Sequence, residues 1–269
     1  MRRALVKHLI LASVLLLPMS GHEPDVPRRV LVIGHRGNPA EAPENTLSSI
    51  RSAFAVGADL VEVDVRLSRD GIPVIIHDPT VDRTTDGQGP VAAKMLAELK
   101  HLDAGSWKDV RFSGERVPTL AEALKVAAGR GRLLLDLKVD GLAGPIAAAL
   151  REEGMPVAAV VIATWTPEQR ADVRQHLQGA AIAQAMEVPG DWTPADMARW
   201  RTEGVLILDV PNPRPDFVRA AHAHAISVWA FTINDVRRMR QVMVAGVDGF
   251  ETDEPRLAAA YAGSGRVTR

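Results

Sequence analysis

Apolar, β-branched runs return along this chain about every 20–25 residues, and between them apolar residues recur at every third or fourth position. The first pattern predicts strands and the second helices with one apolar face. Their alternation predicts consecutive βα units and a parallel sheet. The strand-like runs are Val30 to Ile33, Gly57 to Val65, Arg132 to Lys138, Ala158 to Thr164, Ala180 to Met186, Val205 to Val210, Ile226 to Thr232 and Val247 to Thr252. Helix starts are written between them. Glu44 or Asn45 opens a helix with Leu47, Ile50 and Phe54 on one face, and Thr119 with Glu122 forms a capping box. Thr166, Pro167 and Gln169 supply an N-cap, a first-turn proline and a capping-box glutamine. Thr193-Pro194 and Asp216 start two more helices, and Pro145 to Glu153 is an Ala-rich one.

A ninth run, Pro73 to His77, breaks the rhythm. The few residues between Val65 and Ile72 are too short for a parallel crossover, which needs a dozen or more, so this strand folds back antiparallel. With Asp70-Gly71 as a two-residue turn, Arg69 pairs with Ile72 and Asp64 falls opposite His77. Setting the hairpin strand aside leaves eight, the number that closes a (β/α)8 barrel. The expected fold class is therefore α/β, a TIM barrel over residues 30–262, with a small insertion after the second strand, about residues 70–118, that sits over the site. The insertion carries a short helix, Lys94 to His101.

Composition narrows the function classes. The 269 residues suit one domain, and the net charge of −1, with no basic run beyond the first few residues, offers no footprint for nucleic acid. Arg2, Arg3 and Lys7 precede an apolar run from Leu9 to Leu17, which reads as an export signal over residues 1–21, followed by a flexible spacer at 22–29. The expected location is periplasmic or secreted, without stable membrane insertion after cleavage; an uncleaved membrane anchor is the alternative. There is no cysteine, which excludes disulfides and a lipid-modified cysteine. Residues 263–269 are expected to form a mobile tail.

Candidate chemistry gathers at strand ends, where α/β barrels place catalytic side chains. Glu62 and Asp64 stand two apart on one strand and so face the same way, with Cα atoms about 6.5–7 Å apart. Asp136 is a third acid in an apolar strand. A buried carboxylate is costly unless paired or metal-bound, and three hard oxygen donors suit Ca²⁺ or Mg²⁺ rather than zinc; an internal salt bridge, for instance from Asp136 to a lysine, is the alternative. Lys138 shares strand parity with Asp136 and should point inward with it, as a candidate with Arg36 for binding an anion. His35 and His77 end strands beside the carboxylates, against a bland reading as hydrogen-bonded loop residues. Asn45 and Glu44 read as groups that order the first loop. His101, His176, His222 and His224 have no such neighbours. No serine or cysteine nucleophile motif, G-x-G-x-x-G or P-loop is present.

The ordered series HRG (His35 to Gly37), PENTL (Pro43 to Leu47), GADLVEVDV (Gly57 to Val65), DG (Asp70-Gly71) and HD (His77-Asp78) resembles the glycerophosphodiester phosphodiesterase family. So do RTTDGQG, ELKHLDAGSW, PTLAEAL, LDLK (Leu135 to Lys138) and GVDGFETDEP (Gly246 to Pro255), over roughly residues 30 to 260. The resemblance implies metal-dependent hydrolysis of a small glycerophosphodiester to an alcohol and glycerol 3-phosphate. It implies His35 and His77 as the acid–base pair, one divalent cation, Ca²⁺ or Mg²⁺, on Glu62, Asp64 and Asp136, and Arg36 and Lys138 at the phosphate. Trp229 resembles the family's tryptophan near the substrate, with core packing as the alternative. Where the family usually has a glutamate this chain has Asp136, one methylene shorter. Two rival functions are a phospholipase D-like lyase on sphingomyelin or lysophospholipids, which would need a wide apolar entrance, and a non-catalytic phosphate-ester binding protein, against which the retained histidines and carboxylates argue.

Overall fold

A computed structural model describes residues 29–186 and 192–263; the leader at 1–21, the spacer at 22–29 apart from Arg29, and the tail at 263–269 apart from the helical backbone of Gly263 lie outside them. Eight parallel strands close into a barrel: β1 (Leu31–Gly34), β2 (Leu60–Leu67), β4 (Arg132–Leu137), β5 (Val160–Thr164), β6 (Ala181–Ala185), β7 (Val205–Val210), β8 (Ser227–Ala230) and β9 (Gly249–Thr252). The ring closes where β1 pairs with both β2 and β9. Helices α1 (Leu47–Ala55), α3 (Leu120–Ala127), α4 (Ala143–Glu152), α5 (Pro167–His176), α6 (Pro194–Thr202), α7 (Pro215–Ala223), α8 (Val236–Ala245) and α9 (Pro255–Gly263) follow the strands. The large core lies between strands and helices: Val61, Val63, Leu133, Leu135 and Ile162 point outward to meet Ile50, Leu124 and Ile146. Alternate residues of the same strands fill the barrel interior with Ile33, Leu60, Leu134, Val161, Ile207 and Trp229. Both faces of each strand are thus apolar, which is why the runs read as continuous.

The ninth strand, β3 (Pro73–Ile75), is antiparallel to β2 as expected, but the register differs by one residue. Val65 pairs with Ile75 and Ile76 N donates to Asp64 O, so Ile76, not His77, lies opposite Asp64. The turn is the cause. Ser68 and Ile72 bond to each other across a three-residue loop, with Gly71 at φ 77° in the left-handed conformation that such a loop asks of its last residue. Ser68 Oγ also accepts from Ile72 N, at 3.0 Å. A glycine preceded by aspartate suits either loop length, and the serine decides it here.

β2 has eight residues and β1 four, so the end of β2 rises past β1, and β3 docks on that overhang. This carries His77 to the rim of the same barrel mouth as His35. The insertion beyond β3 builds its own small core from Val74, Ile76, Val81, Val91, Leu99 and Val117, and its only α-helix is α2 (Leu96–Leu99), shorter than expected. It is fastened to the loop before α1 and to the first turn of that helix: Lys108 Nζ donates to Pro39 O at 2.6 Å, Arg111 to Glu41 O, and Ser48, in α1, to Glu115.

Local signals end where the chain chemistry allows. The cap of α1 is Thr46, whose hydroxyl accepts from Ser49 N, not Glu44 or Asn45. The Thr119–Glu122 capping box forms as read. Thr166 caps α5, but Gln169 Oε1 accepts from Trp165 N, so the reciprocal half of a box is absent there. Among the described residues no helix is long and apolar enough to cross a membrane.

Candidate active site

The parallel register of β2 and β4 pairs Asp64 with Asp136 and, one layer lower, Glu62 with Leu134. Partners in a parallel ladder face the same way, so the three acids converge inside the barrel, and their oxygens lie within 4.8 Å of one another. Across from them β5 and β6 carry Ala163 and Ala185, whose small side chains leave a cavity of about 210 Å³. His35, Arg36, His77 and Lys138 stand on its rim or wall; Trp165 and Phe231 form an apolar side, ring centroids 6.2 Å apart and edge to face. Asp64 itself is buried behind the lining.

Each histidine is held by a carboxylate. His35 Nδ1 is 2.7 Å from Asp253 Oδ1, and His77 Nδ1 is 2.6 Å from Asp78 Oδ1. An ionised carboxylate accepts and does not donate, so the proton of each neutral ring sits on Nδ1 and the Nε2 lone pair is left over. Asp253 is fixed in turn by Asn234 Nδ2 at 2.7 Å, and Asp78 by Arg83 at 2.7 Å. Arg83 also bonds both oxygens of Glu44, which accepts from Arg36 at 2.9 Å. This chain of ion pairs ties the His77 segment to the His35 loop.

Two non-glycine residues here adopt left-handed backbone, Arg36 (φ 53°) and Asn45 (φ 58°), a conformation tolerated where surrounding bonds enforce it. Arg36 N donates to Glu62 Oε2 at 2.7 Å, and Asn45 Nδ2 to Asp64 Oδ2 at 2.6 Å. Gly37 (φ 93°) closes the turn against Ser49, where a Cβ would lie 2.2 Å from Ser49 Oγ. The first loop is therefore shaped around the carboxylates.

Lys138 Nζ lies 2.5 Å from Asp136 Oδ2 and 3.0 Å from Asp64 Oδ1, so the salt bridge weighed as an alternative for Asp136 is present. Trp165 Nε1 donates to the other oxygen of Asp136 at 2.6 Å. Burial works against the charge of Asp64, but Lys138 and Arg36 outweigh it and hold the carboxyl below its usual range. Glu62 goes the other way: burial, with Asp64 and Asp136 adding repulsion, pushes it well up. Burial also raises Asp136. Beyond these, Asp209 on β7 and Glu251 on β9 are buried, hydrogen-bonded to each other and in the cavity wall; burial pushes Asp209 up to about 6 and Glu251 well above the carboxylate range. Two carboxylate oxygens, Glu62 Oε1 and Asp209 Oδ1, are buried without a hydrogen-bond partner.

The structure thus brings together His35, His77, Glu62, Asp64, Asp136, Arg36 and Lys138. It does not bring Trp229 to the cavity. That indole packs in the barrel interior over Gly249, so its place is the packing alternative, and Phe231, two residues on and of the same strand parity, is the aromatic at the cavity. Sequence reasoning passed over Asp209 and Glu251, although each is a lone acid in an apolar strand, the same signal that singled out Asp136. Trp165 and Asp253 carried no such signal. His222 pairs with Asp248 and His176 with Asp172, both away from the cavity lining.

The model of the glycerophosphoryl diester phosphodiesterase family matches residues 35–142 and 147–257. A glycerophosphodiester phosphodiesterase of Caldanaerobacter subterraneus is 33% identical over 236 residues, covering 84% of this chain and 95% of that protein. Among solved structures, a phosphodiesterase of Oleispira antarctica in complex with the product sn-glycerol-3-phosphate superposes with a TM-score of 0.78 at 33% identity, covering 87% of this chain and 96% of the other. A glycerophosphodiester phosphodiesterase of Agrobacterium tumefaciens gives 0.74 at 30% identity, covering 86% and 99%.

Proposed function

Because the chain belongs to the glycerophosphoryl diester phosphodiesterase family, we propose that it hydrolyses glycerophosphodiesters to glycerol 3-phosphate and an alcohol, using His35 and His77 for proton transfer beside a divalent cation. The observation that carries this reading is the pair of imidazoles, each tied at Nδ1 to a carboxylate, at the rim of a cavity floored by acids. The product bound to the Oleispira relative supports the substrate class.

Glu62, Asp64 and Asp136 fit a cation. They offer only oxygen, their atoms lie within 4.8 Å of one another, and Glu62 Oε1 is buried without a donor, a costly arrangement that a positive ion relieves. A hard ion, Ca²⁺ or Mg²⁺, suits this set and, when bound, neutralises charge on the phosphodiester oxygens. Arg36 and Lys138 add two positive side chains at the same wall for the phosphate. One histidine takes the proton of the attacking oxygen on Nε2, and the other hands one to the leaving alcohol; water as attacker gives glycerol 3-phosphate directly, whereas the glycerol 2-hydroxyl gives a cyclic phosphodiester that a water then opens to it. Asp253 and Asp78 keep the two rings oriented.

The test is release of glycerol 3-phosphate from a glycerophosphodiester, with and without a chelator. We expect release that stops on chelation and returns with Ca²⁺ or Mg²⁺; undiminished release in chelator removes the metal from the proposal, and no release under any condition removes the reaction. Export belongs to the same proposal: N-terminal sequencing of the cell-free protein is expected to start between His22 and Asp25, and a start at Met1 in the membrane fraction would indicate an anchor.

A further inference from the structure

Glu62 belongs to a second group of potential ligands. His35, Glu62 and Glu251 also offer atoms that lie within 4.8 Å of one another, on β2, on β9 and just past the end of β1, with none on β4. The pairing of Ile33 with both Glu251 and Leu60 places β9 and β2 on either side of β1 and so sets these side chains around His35. Asp209 extends the group through its hydrogen bond to Glu251.

An acidic cluster alone would say little. Here a buried oxygen independently asks for a ligand. Asp209 Oδ1 has no hydrogen-bond partner, in a residue only 3% exposed that lines the cavity. Asp209 belongs to neither trio, but its hydrogen bond to Glu251 places it beside this one, and Glu62 Oε1, in a member of this group, is likewise buried without a partner. His35 is pre-set as well: its Nδ1 is held by Asp253, the arrangement by which a carboxylate orients a metal-binding imidazole and leaves Nε2 to bind.

We infer that the cavity holds a second cation site, formed by His35, Glu62 and Glu251 with Asp209 beside them, and that its ion is a borderline one such as Zn²⁺. The donor set decides the ion. One imidazole nitrogen with carboxylate oxygens is a zinc-type set, whereas the all-oxygen trio is not. Glu62 is common to both groups. The effect on catalysis rests on the role proposed above for His35: an ion on Nε2 occupies the lone pair that proton transfer needs, so Zn²⁺ is an inhibitor acting at its own site. The binding itself does not rest on that role.

The experiment uses the full chain, freed of metal and then kept in saturating Mg²⁺, with Zn²⁺ titrated in by calorimetry and Co²⁺ substituted to read the ligand field by its visible absorption. Wild type is expected to take up one Zn²⁺ per chain, and Glu251→Gln, of nearly equal volume, to bind it weaker on the order of 10²-fold with loss of the Co²⁺ band. Glu251→Leu repeats the measurement should the glutamine variant fold poorly, and a Zn²⁺-induced rise in Tm seen in wild type and lost in the variants checks both. Asp64→Asn should keep the Zn²⁺ site. Inhibition of wild type and of the Glu251 variants, each referred to its own rate without zinc, should shift by the same factor as binding. The inference is overturned if Glu251→Gln binds Zn²⁺ like wild type, if wild type binds none, or if Asp64→Asn removes binding while Glu251→Gln does not. Zinc uptake that follows Glu251 in a protein releasing no glycerol 3-phosphate would sink the proposed reaction and leave this site standing; the reverse result would do the opposite.

Discussion

Each imidazole proposed for proton transfer is held by a partner carboxylate, and the two partners differ in reach: Asp78 is the neighbour of His77 in the chain, whereas Asp253 comes to His35 from 218 residues away. His35→Ala and His77→Ala are each expected to lose on the order of 10²–10⁴ in rate, the usual worth of a positioned acid or base. A nitrophenyl ester, whose leaving group needs no proton, should partly rescue the variant lacking the acid and not the other; wild-type rates in both would make the pair structural. Asp253→Asn should cost less, on the order of 10–10², since the ring stays but its orientation loosens; an unchanged rate would show that packing alone sets the ring. Asp64→Asn should abolish Ca²⁺ or Mg²⁺ binding at the acidic trio, measured directly, while zinc uptake persists and the fold stays intact by circular dichroism. Seven of the eight side chains picked from the sequence meet at this cavity because inward parity and strand ends are written in the local pattern. Trp229 takes the packing alternative, a choice the sequence leaves open because parity fixes which side of a strand a residue faces but not its height in the barrel. Asp253 could not be found locally, since its pairing with His35 exists only once the ring has closed.

Among the elements, the insertion joins a small apolar core to a polar hub. Asp103 is its hub, accepting from the backbone N–H groups of Gly105, Ser106 and Gly114 at 2.7–2.8 Å. These bonds, that of Ser106 foremost, hold its carboxyl below the usual range. Asp103→Ala should therefore speed amide exchange over residues 103–115 by on the order of tenfold, about 1 kcal/mol, with the barrel strands unaffected. A depressed carboxylate stabilises above its unfolded value of about 3.9 and loses that contribution as pH falls through its folded value. Local opening should thus be flat from pH 7 to about 5 and rise only below about 4. An onset near pH 6 would point to another group. That β3 turns back was legible from loop length alone, and the β2–β3 register was not: a two-residue and a three-residue loop present the same Asp-Gly, and the Ser68 side chain settles the choice.

Over the whole molecule, closure depends on β8, β9 and β1 fitting at one seam. Gly249 faces Trp229 there, and a Cβ would lie 3.0 Å from Cδ1 of the indole and 3.2 Å from Leu31 Cβ. Gly249→Ala should cost about 1–3 kcal/mol in urea unfolding, the usual penalty of overpacking; a neutral result would mean that the seam gives way more easily than these distances imply. The barrel itself was legible, because eight evenly spaced apolar runs leave few other ways to bury both faces of each strand. The seam also bears on synthesis. The ribosome delivers His35, His77, the acidic trio and Lys138 within the first 138 residues, yet the carboxylate that steadies His35 and the strand that closes on β1 follow about 115 residues later. At ~5–20 residues per second that is a wait of roughly 6–23 s. A nascent chain would carry every group proposed to react for that time and still be inactive, so the onset of activity in a stalled-ribosome series is expected to mark the moment when the last strand docks.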